Sequence, residues 1–134
     1  MKRPSVRLAI ALAALLALAL PALAAELHEP HQGTACKAGE VGTWHFVANQ
    51  TEGATEGWLV VDFDSGNLVG PLEPDKINRN VMHWWIRDAG TELVNARTYG
   101  DLNSASQYPA GGEGLAGKLV LSEWACKKLP PTGK

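Results

Sequence analysis

Apolar and polar positions alternate with a period of two in several short stretches, each bounded by turn-forming residues. Val81–Arg87 is the most aromatic of them. Read as a strand, it places Met82, Trp84 and Ile86 on one side and His83, Trp85 and Arg87 on the other. The first side is wholly apolar and has to be covered. The second sets one large indole between two polar side chains, so Trp84 is expected in the core and Trp85 outside it. Gly42–Val47 divides in the same way, with Trp44 and Phe46 opposed to Thr43, His45 and Val47. In Gly57–Phe63, the residues Leu59, Val61 and Phe63 oppose Trp58, Val60 and Asp62. Asp64, Ser65, Gly66 and Asn67 come next as a tight turn, which predicts a hairpin.

Thr91–Tyr99 reads as a further strand of blurred period, because Leu93 and Val94 cannot share a face. Lys118–Trp124 is the last strand. Pro71–Asn80 reads as an extended crossing with Ile77 plugging the edge of the core. Gly100–Gly117 is a long, glycine-rich connection of the kind that is often mobile or functional. No helical periodicity appears after the N-terminal segment. The pattern predicts an all-β protein, an antiparallel β-sandwich of immunoglobulin-like kind, as a single domain.

The ends of the chain change the picture. Lys2, Arg3 and Arg7 precede an apolar run from Leu8 to Leu20, and Ala22, Ala24 and Ala25 supply small residues after it. This is the pattern of a secretory signal over residues 1–25, cleaved after Ala25. Residues 26–35, which include His28 and His31, are expected to form a flexible leader. The domain is expected over 36–126 and a Pro-rich tail over 127–134. Residues 26–134 carry nine Lys and Arg against fourteen Asp and Glu, a net charge of −5. That balance argues against nucleic acid as a partner, and no stable membrane insertion is expected after cleavage.

Cys36 and Cys126 are the two cysteines. In an exported chain they are expected to pair, closing nearly the whole domain into one loop. Unlike the immunoglobulin pattern, they lie at the ends of the domain. The tail contains Leu129, Pro130, Pro131, Thr132 and Gly133, which match the Leu-Pro-x-Thr-Gly sorting pattern of Gram-positive cell-wall proteins.

No sequence pattern specifies a reaction. Neither His45 nor His83 sits in a nucleophile elbow or beside a free cysteine, and a metal bound by both would need a third ligand. Asp62, Asp64, Gly66 and Glu73 only superficially trace a calcium loop, with the glycine one place early. No cofactor and no metal is expected. The surface cluster singled out for binding is Trp85 with His83 and Arg87, since exposed indoles stack on sugars or anchor protein partners.

The segments Gly42–Gln50, Asn80–Trp84 and Leu119–Cys126 look similar to a β-rich module recurring in bacterial secreted and cell-wall-anchored surface proteins. The resemblance implies an extracellular, cell-wall-associated context and transfers no site residues. The expected function is a non-enzymatic surface module that binds a protein or a glycan. The alternatives are a small secreted hydrolase or metal-dependent protein using His45 and His83, and a structural spacer.

Overall fold

The computed structural model describes residues 25–110 and 114–129. Except for Ala25, the expected signal lies outside the described residues, and so does the sorting-like motif except for Leu129. The described chain forms eight strands. They are β1 (Ala25–Glu26), β2 (Glu40–Asn49), β3 (Trp58–Phe63), β4 (Asn67–Leu72), β5 (Lys76–Asn78), β6 (Val81–Ile86), β7 (Leu93–Tyr99) and β8 (Lys118–Lys128). A 3-10 turn spans Glu29–His31, and a one-turn helix, α1, spans Leu102–Ala105. The strands make two four-stranded sheets ordered β1-β7-β3-β4 and β5-β6-β2-β8, with every ladder antiparallel.

The alternation read from the sequence sorts the side chains as expected. Trp44, Phe46, Met82, Trp84, Leu119 and Leu121 of the second sheet share one core with Leu59, Val61, Phe63, Leu93 and Ala96 of the first. Trp44 meets Phe63 across the sheets, with ring centroids 5.3 Å apart. A buried indole N–H needs an acceptor. Trp44 Nε1 donates to the Ala89 carbonyl at 2.6 Å and Trp84 Nε1 to the Leu72 carbonyl at 2.9 Å.

Asp64, Ser65 and Gly66 make the hairpin turn between β3 and β4, all three at positive φ. The two aspartates that suggested a calcium loop serve backbone amides. Asp62 accepts from Gly66 N–H, and Asp64 accepts from Thr91 and Glu92 N–H. Gly90 lies at φ +73°, with the Phe63 ring where a Cβ would stand, so the turn before β7 admits only glycine without displacement.

β7 owes its blurred period to a bulge. Asp62 pairs with Asn95 and Phe63 with Leu93, so Val94 is the extra residue and the inward parity changes across it.

Two expectations need correction. Residues 26–35 are not a loose leader. β1 pairs with β7, Leu27 is buried against the core and bridges Leu119, and His31 Nδ1 accepts a hydrogen bond from Leu121 N–H at 3.1 Å. The segment covers the edge of β8 and supplies partners to its backbone groups, His28 N–H donating to the Leu119 carbonyl. Ile77 does not plug the core: it is exposed on β5, at the edge of the second sheet. The first half of the glycine-rich connection packs on the first sheet. Ala105 of α1 packs on Val60 and Tyr99, Tyr108 joins them, and Arg97 Nη1 donates to the Pro109 carbonyl.

The expected disulfide joins Cys36 to Cys126 across 90 residues of sequence. Cys36 N–H donates to the Thr91 carbonyl just before β7, while Cys126 lies in β8 opposite Gly42. The bridge therefore ties a segment that runs alongside the first sheet to the edge strand of the second. In the chain-entropy picture a loop of this length contributes about 4–5 kcal/mol.

Candidate functional site

The outer face of the second sheet carries the candidate site. On β2 the outward side chains are Thr43, His45 and Val47, and on β6 they are His83 and Trp85. His45 stands directly opposite Trp85, and Val47 opposite His83. Trp84 is 0% exposed and Trp85 36%, so the strand divides as its parity predicts.

Three flat rings assemble here. His45 Nε2 and His83 Nδ1 are 3.0 Å apart, with ring centroids separated by 5.2 Å and planes 16° apart. Two stacked rings cannot bring nitrogens that close, because π-stacked planes stay roughly 3.5 Å apart at contact. The two imidazoles therefore lie edge to edge in nearly one plane. The Trp85 indole lies parallel to both, 4.3 Å from His45 and 5.5 Å from His83 between centroids, at 8° to each. The indole is thus laid flat on a hydrogen-bonded pair of imidazoles. Its backbone is held as well, since Trp85 N–H donates to Asp75 Oδ2 at 2.8 Å.

One imidazole donates to the other, so the bond survives with both rings neutral or with one of them charged, but not with both charged. His83 titrates below the ordinary histidine range. The main cause is burial, followed by the neighbouring His45 and by Lys76, which faces His83 from β5.

β8 contributes a carboxylate that the sequence did not single out. A bulge shifts the β2–β8 register between His45 and Phe46, so that Glu123 pairs with His45 and Leu121 with Phe46. Simple alternation would send Glu123 inward with Leu119 and Leu121. The extra residue, Ser122, reverses the parity and sets Glu123 on the outer face. Glu123 Oε1 lies 3.7 Å from His45 Nδ1; the carboxylate side chain is 76% exposed and the imidazole 13%. At that distance the contact is not a hydrogen bond, and the carboxylate keeps its accepting capacity. Trp124 is exposed too, but it pairs with inward-facing Trp44 and so projects to the other face of the sheet. Thr43, His45, Trp85, Glu123, Trp124 and Ala125 enclose a groove of ≈ 170 Å³.

Of the expected cluster, Trp85 and His83 are brought together. Arg87 lies one residue beyond β6, exposed and outside the lining of this groove. Among the described residues, the grouping of three metal-ligand side chains is Cys36, Glu40 and Cys126, and its two sulfurs are bonded to each other. No helix among the described residues is long and apolar enough to cross a membrane. Comparison with protein families, curated proteins and solved structures finds no match for the chain.

Proposed function

We propose that the protein is a secreted, non-enzymatic binding module on an immunoglobulin-like β-sandwich scaffold. It presents the outer face of its second sheet to an extracellular protein or glycan. The observation that carries this reading is Trp85, exposed yet fixed flat on the His45–His83 pair beside a groove. An indole held by ring contacts and a backbone hydrogen bond loses little further freedom on binding, so more of its contact energy appears as affinity. A pure spacer would have no need of such a surface. Export and attachment at the cell wall belong to the same proposal, on the strength of the signal-like N-terminus and the Leu129–Gly133 pattern.

The hydrolase or metal-dependent alternative draws less support. The facing nitrogens of His45 and His83 point at each other rather than at a shared open position, and Glu123 approaches His45 from its other nitrogen. The reading is tested on an array of glycans and extracellular-matrix proteins probed with the wild-type domain and with Trp85→Ala. Capture by the wild type that the variant loses supports it. Absence of capture on both panels overturns it.

A further inference from the structure

The groove beside Trp85 favours one ligand class over the other. Its ≈ 170 Å³ is close to the size of a single six-membered sugar ring, and Trp85 supplies its aromatic wall. Aromatic faces take up the C–H face of a pyranose, while its hydroxyls remain at the rim to hydrogen-bond. The polar groups suit that arrangement. The Glu123 carboxylate is open to donors, and the Thr43 hydroxyl has only a long 3.4 Å contact from Asp88 N–H. A protein interface of ordinary size covers about 800 Å² on each partner, far more than this groove offers.

Charge narrows the class further. The lining contains a carboxylate and no Lys or Arg, on a domain with nine basic and fourteen acidic residues after position 25. Sulfated and uronic sugars are disfavoured there, and neutral or amine-bearing ones are admitted.

We propose that this groove is a subsite for one neutral or amine-bearing pyranose of a glycan, stacked on Trp85 with its polar groups donating to Glu123 and Thr43. The assignment rests on the reading of this face as a binding surface.

The domain is titrated, following its tryptophan fluorescence, with cellohexaose, N-acetylchitohexaose, a glucosamine hexamer and a heparin hexasaccharide. Binding is expected for at least one of the first three and not for heparin. Trp85→Ala should weaken it about tenfold. Glu123→Gln should reduce affinity most for the glucosamine hexamer. Circular dichroism confirms that each variant is folded. Preference for heparin, or oligosaccharide binding that Trp85→Ala does not weaken, overturns the assignment. If the hexamers fail while a matrix protein is captured in a Trp85-dependent way, the sugar assignment falls and the binding face stands. If nothing that binds depends on Trp85, both fall.

Discussion

The two sheets share one core but treat their outer faces differently. On the first sheet Val60 and Tyr99 look outward and are nevertheless buried, because α1 and Tyr108 lie over them. The cover is pinned by Asp101, which caps α1 through Ser104 N–H, and by Arg97, which binds the Pro109 carbonyl and lies 3.4 Å from Glu26. On the second sheet His45, His83 and Trp85 also look outward. There no segment of the described chain covers Trp85, and the aromatic surface is backed instead by a hydrogen bond between imidazoles. Both faces carry apolar rings that would be costly to leave loose. One ring is hidden to add stability, and the other is held rigid and left accessible. That difference directs the functional reading to the second sheet, since an exposed aromatic on a stiff strand contributes little to folding and much to recognition.

The largest expected effect bears on both faces at once. Replacing both Cys36 and Cys126 by Ser removes the tie between them and should cost about 4–5 kcal/mol in urea unfolding, without favouring either surface. A loss below about 1 kcal/mol would mean that the unfolded chain is already constrained near these positions.

Paired truncations break the comparison more selectively. Tyr99→Ala under the cover should cost about 3–4 kcal/mol, as for other large core aromatics. Trp85→Ala on the open face should cost less than about 1 kcal/mol. Equal losses would show that Trp85 is structural, and the spacer reading would gain.

A smaller and more local change is Asp101→Ala, which removes the α1 cap. About 1 kcal/mol is expected, seen as faster amide exchange in residues 102–108 while β2 and β6 remain protected. Exchange that accelerates equally in both sheets would mean that the cover is not a separate unit.

The mildest effect is that of pH. His83 and His31 both sit below the ordinary histidine value of 6.5, burial being the first cause for each. For His83 the further causes are His45 and Lys76, and for His31 the further cause is His28. The unfolded chain therefore takes up protons before the folded one does. Stability is complete above about pH 6.5 and declines as the pH falls through 6.5 toward the folded values. His31 adds a chemical reason, because its Nδ1 must stay unprotonated to accept from Leu121. Melting temperatures measured from pH 7.5 down to 5 should fall. His83→Gln should flatten part of that slope and leave the share that belongs to His31. An unchanged slope would remove His83 from the balance.

Local periodicity and the cysteines were enough to dictate several features. The parity of Val81–Arg87 separated a buried Trp84 from an exposed Trp85. Period-two patterns in β2 and β3 marked the inward residues, and two cysteines behind a signal-like N-terminus pointed to a single bridge. These features need only neighbours along the strand, and the pleat enforces them wherever the strand is placed. The remaining features depend on contacts between distant segments. The bulge at Ser122 turns Glu123 outward because an extra residue reverses the strand's parity, and nothing local announces where a partner strand will absorb it. Residues 26–35 became part of the fold because the edge of β8 offered backbone groups to pair and the core offered a place for Leu27. The glycine-rich connection became a cover because Val60 and Tyr99 needed one. The opposite face received none, and the groove beside Trp85 exists for that reason.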